Sequence, residues 1–225
     1  MKKRVKFNYR AIIFDMDGVI TNTMPYHFDA WLQIFKTAGI KVNCYDVYKR
    51  EGQDGLSSIK EIFKEHNISF SLKLAKGLLR RKETLFKKTV KIKFIKGARP
   101  FIRRLKRHKL RLGLVTGTSR QEMEKILPLA IRRLFNVVVT GDEVWKSKPH
   151  PEPFLKALKM LKLNRREVIV IENAPFGIRS AKKAGLYCIA LETSLPRRYL
   201  SGADVIISSF RELAHFLFYQ GKRSV

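Results

Sequence analysis

Six short apolar runs punctuate the chain. The first is "AIIF" at 11–14, and it leads directly into two acids. The other five lie at 110–116, 135–140, 167–173, 186–191 and 203–208. Each run is continuous and rich in aliphatic side chains, a pattern typical of a strand buried on both faces. The sequence therefore predicts six buried strands.

Helical patterns lie between most of these runs. Ser119 and Glu122 form a capping box, and Pro128 interrupts the helix that follows. Pro153 suits the first turn of a second helix, and Gly185 suits the end of a third. Strands that alternate with helices predict an α/β fold, with a Rossmann-like parallel-sheet core and helices on both faces.

One long interval has no convincing strand. It contains three helical patterns, and the apolar residues of the first share one helical face: Phe28, Trp31, Leu32 and Phe35. We therefore expect a small all-helical cap over residues 21–94, inserted after the first strand. The catalytic core then comprises residues 1–20 and 95–225.

Polar residues follow the ends of several predicted strands. In open α/β sheets, ligands bind outside the carboxyl ends of the strands, so these residues are candidates for one site. Carboxylates there can bind Mg²⁺ or attack phosphorus, while a hydroxyl, a lysine and loop N–H groups can hold a phosphate. The candidates are Asp15, Asp17, Thr116, Gly117, Lys148, Glu172 and Asn173.

Four segments in order resemble the motifs of the haloacid dehalogenase superfamily. They are "DMDGV", "VTGTS", "KSKPHPEPF" and "IENAPFGIRSAKKAG". The resemblance runs from about residue 10 to about residue 210. It is specific because four motifs occur together. The helical insertion after the first motif resembles the branch that holds β-phosphoglucomutase and the phosphoglycolate-type phosphatases.

The resemblance implies the catalytic roles. Asp15 is expected to be the nucleophile that forms an aspartyl-phosphate, and Asp17 the general acid and base. Thr116 and Lys148, with Gly117, are expected to bind the transferring phosphate. Lys146 lies two residues from Lys148 and could compete for this role, but the "KP" setting favours Lys148.

The resemblance also implies a Mg²⁺ site formed by Asp15, the Asp17 carbonyl, Glu172 and Asn173. Asn173 departs from the family, because many members have an aspartate there. Asparagine keeps a carbonyl oxygen but loses the charge, which should weaken Mg²⁺ binding. Either Glu172 carries the charge, directly or through water, or the site is degraded. The presence of the other motif residues favours a working site.

Two residues of the predicted cap, His27 and Lys82, are substrate candidates, and a third, Gly55, argues against a mutase. His27 matches a histidine near the substrate in the mutase branch, or it is a packed histidine. Lys82 could reach the cleft, or it is a surface lysine. Gly55 falls where the mutase has an arginine for a second phosphate. We therefore expect a Mg²⁺-dependent phosphatase of small metabolites, of sugar phosphate or phosphoglycolate type. The alternative is a phosphosugar mutase like β-phosphoglucomutase.

Composition adds little to this prediction except charge. The chain of 225 residues has 47 Lys and Arg against 19 Asp and Glu, a net charge of +28. Such a surface attracts anions, so nonspecific nucleic-acid binding is a third alternative. No apolar run reaches the ~18 residues of a membrane helix. Two cysteines are too few for a disulfide framework, so we expect a cytoplasmic protein without a membrane partner.

Overall fold

The computed structural model describes residues 9–218, so the outer ends of the predicted core, 1–8 and 219–225, lie outside it. The strands are β1 (Ala11–Phe14), β2 (Arg111–Val115), β3 (Val137–Val139), β4 (Val168–Glu172), β5 (Tyr187–Leu191) and β6 (Val205–Ile207). The helices of the core are α5 (Ala98–Arg107), α6 (Arg120–Ile126), α7 (Leu129–Arg132), α8 (Glu152–Leu161), α9 (Pro175–Lys183) and α10 (Phe210–Phe218). Within residues 9–218, no helix is long and apolar enough to cross a membrane.

The strands form one parallel sheet in the order β3-β2-β1-β4-β5-β6. In the central strand β1, Ile13 pairs with Gly113 of β2 and with Val170 of β4. The six predicted strands are confirmed. Because β2, β1 and β4 are neighbours with the same direction, the residues that follow them meet at one edge of the sheet.

The strand side chains alternate between two apolar layers. Ile12 and Phe14 of β1 pack in a cluster with side chains of α5, α6 and α10. Ala11 and Ile13 face the opposite cluster, which contains side chains of α8 and α9. This period of two is what a strand imposes, and it confirms a sheet covered by helices on both faces.

Four helices lie between β1 and α5: α1 (Met24–Lys36), α2 (Cys44–Tyr48), α3 (Gly55–Glu65) and α4 (Leu72–Thr89). We call α1–α4 the helical insertion. It has its own apolar cluster, which includes Trp31, Phe35 and Phe63. Helices α1, α3 and α4 match the three predicted patterns. The sequence analysis missed α2, which is five residues long and begins with a capping box between Asn43 and Asp46.

The two chain segments that join the insertion to the core pair with each other. The Asn22 N–H donates to the Lys93 carbonyl at 2.7 Å, and the Ile95 N–H donates to the Ile20 carbonyl at 2.9 Å. Both ends of the insertion therefore leave the core side by side, close to the carboxyl end of β1.

Candidate active site

Asp15, the first residue after β1, forms a buried ion pair. Its Oδ1 lies 2.7 Å from the Lys148 Nζ, which also donates to Glu172 Oε1 at 2.7 Å and to the Val115 carbonyl at 3.2 Å. Lys148 is 1% exposed, whereas Lys146 is exposed. The loop before α8 thus brings Lys148, and not Lys146, to the predicted nucleophile.

Burial and charge oppose each other at this pair. Burial raises the pKa of Asp15 to about 8, and the carboxylates of Glu172 and Asp17 act in the same direction, while Lys148 opposes them. Burial alone would lower the pKa of Lys148, but Asp15 and Glu172 outweigh it and raise that pKa. The raised pKa favours the protonated form of Lys148, which can stabilise negative charge in this buried site.

Asp17 is also fully buried, but its surroundings differ. Its Oδ1 accepts from the Thr23 hydroxyl and lies 3.5 Å from His27 Nε2. Its Oδ2 accepts from the hydroxyls of Thr118 at 3.0 Å and Thr116 at 3.4 Å. Burial would raise the pKa of Asp17, yet the His27 and hydroxyl contacts outweigh it and lower that pKa. The two acids are thus shifted in opposite directions, as in carboxylate pairs with separate roles.

Gly18 makes the turn that brings both acids to one site. Its φ is +84°, in the region that favours glycine, and its N–H donates to the Thr21 carbonyl at 2.7 Å. A β-carbon at this position would overlap the Asn173 side chain. The turn therefore requires glycine for both its backbone angle and its close approach to Asn173.

The side chains of Glu172 and Asn173 are fixed by hydrogen bonds. Glu172 uses one oxygen for Lys148, and its Oε2 accepts from the Asn173 N–H at 2.9 Å. The Asn173 Nδ2 donates to the Asp17 carbonyl at 3.2 Å and to Ser194 Oγ at 2.8 Å. Glu172 thus holds Lys148 here, and its predicted role toward a cation stays a prediction.

The site offers a carboxylate oxygen and an amide oxygen, and both are kinds of ligand that a hard cation prefers. Across residues 9–218, no group of three or more His, Cys, Asp or Glu is placed to hold a metal ion. However, Asp15 Oδ2 and Asn173 Oδ1 are buried and have no hydrogen-bond partner within this part of the chain. A buried polar atom without a partner is costly, and a cation such as Mg²⁺ would satisfy oxygens of this kind.

His27 of α1 and Lys82 of α4 meet beside Asp17. Lys82 Nζ lies 3.1 Å from His27 Nδ1, and the His27 ring stacks on Phe86 with 4.0 Å between centroids. Burial lowers the pKa of both side chains. Lys82 is only 7% exposed, so the alternative of a surface lysine is wrong. His27 is both packed and in contact with a predicted catalytic acid.

A cavity of ≈ 280 Å³ lies between the insertion and the core. Its lining includes His27 and Lys82 from the insertion and Gly117 and Thr118 from the loop after β2. His27 and Thr118 also contact Asp17, so the cavity opens beside the acid rather than away from it. It provides room for the part of a substrate that is not the reacting group.

Three residues that hold the site were not predicted. Ser194 follows β5, so the rule of strand ends would have found it. Thr118 lies in the same loop as Thr116, but the sequence does not show which hydroxyl reaches Asp17. Thr23 gives no signal in the sequence, because its position depends on how the chain turns into α1.

The fold is an α/β fold with its candidate site at the carboxyl ends of the strands, and comparison with known proteins identifies its family. Residues 12–191 match the model of the haloacid dehalogenase-like hydrolase family. The chain belongs to this family, as its four motifs predict.

Two curated relatives and one solved structure illustrate the similarity. Validoxylamine A 7'-phosphate phosphatase from Streptomyces hygroscopicus is 29% identical over 91% of this chain and 96% of its own. Beta-phosphoglucomutase from Bacillus subtilis is 29% identical over 94% of each chain. The crystal structure of CbbY from Rhodobacter sphaeroides in complex with phosphate has a TM-score of 0.75, with 26% identity over 91% of this chain and 96% of its own. The comparisons agree with the predicted enzyme class, a phosphoric monoester hydrolase.

Proposed function

We propose that this protein is a Mg²⁺-dependent phosphatase that hydrolyses monophosphate esters of small metabolites, of sugar phosphate or related type. The observation that carries the proposal is the buried Lys148–Asp15 pair with a second acid, Asp17, beside it and a substrate-sized cavity next to both. A relative of similar length, named validoxylamine A 7'-phosphate phosphatase, supports the same class.

The two acids divide the chemistry between them. In the first step an Asp15 oxygen bonds to phosphorus while the bond from phosphorus to the leaving oxygen breaks, and Asp17 gives that oxygen a proton. In the second step Asp17 takes a proton from water. The water oxygen then bonds to phosphorus, and the bond to Asp15 breaks. The protein groups alone raise the pKa of Asp15 and lower that of Asp17, so the ionised nucleophile would need the positive charge of a bound Mg²⁺ beside it.

Three groups stabilise the transferring phosphate. The Lys148 ammonium lies within 2.7 Å of Asp15 and so next to the phosphate that Asp15 would carry. From the loop after β2, the Thr116 hydroxyl lies 3.4 Å from Asp17 Oδ2, and Gly117 lines the cavity, so both could contact the phosphate. Charge stabilisation by fixed donors is usually the largest contribution to such catalysis.

Mg²⁺ would be held by Asp15 Oδ2 and Asn173 Oδ1, with the Asp17 carbonyl and the charge of Glu172 nearby. When bound, it supplies positive charge beside the nucleophile and the phosphate oxygens. The two buried oxygens without partners support this assignment. We infer a cytoplasmic enzyme, consistent with its two free cysteines.

A mutase is the second candidate, because a relative of this length carries that name. Such an enzyme must bind a second phosphate far from the reacting one. Gly55 lines the cavity but has no side chain to bind it, and a β-carbon there would overlap the Leu79 side chain. This favours the phosphatase.

The test is phosphate release from a panel of phosphorylated metabolites and p-nitrophenyl phosphate, with Mg²⁺ and with chelator. We expect release by the wild type and its loss in Asp15→Asn and on chelation. Formation of an isomer without phosphate release would instead establish the mutase. Release that persists in Asp15→Asn would contradict the proposed nucleophile.

A further inference from the structure

The charge of the cavity is opposite to that of the molecule as a whole. The chain carries +28, yet six acids and three basic residues line this space. The acids are Asp46, Glu51, Asp54, Glu83, Glu122 and Asp142. The cavity that would take the leaving group therefore has more acidic than basic side chains. This excess of acids bears on the chemistry of the leaving group that the cavity can bind.

Two of the three basic residues do not offset this surplus. Arg50 is 4% exposed, and its guanidinium is already bound to Glu61, Glu65 and the Asp46 carbonyl. His27 has a lowered pKa because burial and the nearby Lys82 ammonium disfavour its charged form. Lys82 is left as the cation that faces the cavity.

Lys82 is itself balanced by carboxylates. Its side chain is buried, and its Nζ lies within hydrogen-bond distance of His27 Nδ1. Among the charges that act on its ammonium, those of Glu122 and Glu51 are the largest. One buried ammonium therefore faces at least two carboxyl groups near the leaving group.

Glu122 has an acceptor atom without a partner, and Glu51 lines the same cavity. Within residues 9–218, Glu122 Oε1 is buried and has no hydrogen-bond partner. Glu51 lies on the loop after α2, and Glu122 lies in the first turn of α6. They approach the cavity from the insertion and from the core, respectively.

Burial raises the pKa of both Glu51 and Glu122. Ionisation of either carboxyl group would be favoured by ligand groups that donate hydrogen bonds to it and opposed by any further anion. A second phosphate or a carboxylate on the substrate would meet this opposition. Hydroxyl or ammonium groups would instead supply the missing donors.

We infer that Glu51 and Glu122 are specificity residues that select a leaving group rich in hydrogen-bond donors and without a second anionic group. The substrate is then the monophosphate of a polyol or an amino-polyol. This rests on the proposed phosphatase function. It adds the chemical class of the leaving group and the residues that recognise it.

The test compares four probes that share a sugar skeleton: glucose 6-phosphate, glucosamine 6-phosphate, 6-phosphogluconate and glucose 1,6-bisphosphate. For the wild type, we expect kcat/KM for the better of the first two to exceed that for the last two by about tenfold or more. In the variant Glu51→Gln with Glu122→Gln, this preference should fall by about tenfold. The Tm should be unchanged, and the kcat for p-nitrophenyl phosphate should change by less than the preference does, which a merely structural role would not predict.

Glu124→Gln is the matched control. Glu124 lies two residues from Glu122 on α6, but it is exposed and pairs with Arg132 outside the cavity. Its replacement should leave the preference unchanged.

Three results would overturn the inference. They are equal or better use of the two anionic probes by the wild type, a preference that the double variant does not change, and no use of any of the four sugars while p-nitrophenyl phosphate is hydrolysed. Loss of hydrolysis of p-nitrophenyl phosphate and of the whole metabolite panel would instead contradict the proposed function itself.

Discussion

At the scale of single residues, Asn173 offers a direct test of the proposed Mg²⁺ site. Its Nδ2 donates to the Asp17 carbonyl, and its Oδ1 has no partner in the described part of the chain. Asn173→Asp adds a charge and removes that amide donor. We expect Mg²⁺ to bind about tenfold more tightly, measured by calorimetric titration.

Ser194→Ala is the control for this substitution. It removes the second partner of the Asn173 amide at 2.8 Å without changing the charge, so Mg²⁺ affinity should change much less. Unchanged affinity in Asn173→Asp would contradict a metal site at this residue. If neither protein bound Mg²⁺, the alternative of a degraded site would be correct.

Lys148 also links catalysis to stability. Lys148→Met leaves Asp15 and Glu172 buried without their shared cation, which typically lowers the free energy of unfolding by about 3–5 kcal/mol. The matched control is Lys146→Met, which removes an exposed lysine and should change stability little.

The loss in Lys148→Met should depend on pH in a definite direction. The pKa of Asp15 is raised from 3.8 to about 8 even with Lys148 present, and removal of the cation raises it further. A carboxyl with a raised pKa in the folded state favours folding at low pH, and this contribution is lost as the pH rises. Urea unfolding should therefore show a larger loss at pH 8 than at pH 5. An equal loss at both values would contradict the buried pair.

At the scale of elements, the loop after α2 seats the insertion on the core. Gly52 has φ of +79°, and a β-carbon there would overlap the Lys148 side chain. Gly117 is equally close, because its own β-carbon would lie 2.6 Å from the Gly52 α-carbon. Near this contact, Ser147 Oγ donates to Asp54 Oδ2 at 2.8 Å. Any closure of the insertion over a substrate would use this interface.

Gly52→Ala tests this interface. We expect kcat/KM to fall by about 10- to 100-fold, because the added methyl group displaces Lys148 and the loop. Gly39→Ala is the control, since Gly39 also has a positive φ, +73°, but has nothing near its β-carbon. Both variants carry the backbone strain, so equal activity of the two would show that the contact has no role.

The elements also show what a sequence can and cannot predict. Asp15, Thr116 and Lys148 were predictable, because buried strands are visible as apolar runs and parallel strands end at one edge. Glu51 and Glu122 were not, because the loop after α2 meets α6 only through tertiary packing. The contact of His27 with Lys82 is of the same kind, since it joins two helix faces 55 residues apart.

At the scale of the whole molecule, the positive charge lies largely away from the cavity. Between residues 72 and 111, Glu83 is the single acid among many lysines and arginines, and most of these are exposed along α4 and α5. We expect nonspecific RNA binding that weakens by at least about tenfold between about 50 and 200 mM salt, measured by fluorescence anisotropy. Asp15→Asn should bind RNA as the wild type does, and binding that salt does not affect would contradict this interpretation.

The central claim is that Asp15 carries the phosphate during turnover. The most direct measurement is rapid acid quenching of the enzyme with its best substrate from the panel, followed by peptide mass spectrometry. We predict phosphate on the peptide that contains Asp15 in the wild type, and none in Asp15→Asn. Turnover without phosphate on this peptide, at times when product is forming, would contradict the account.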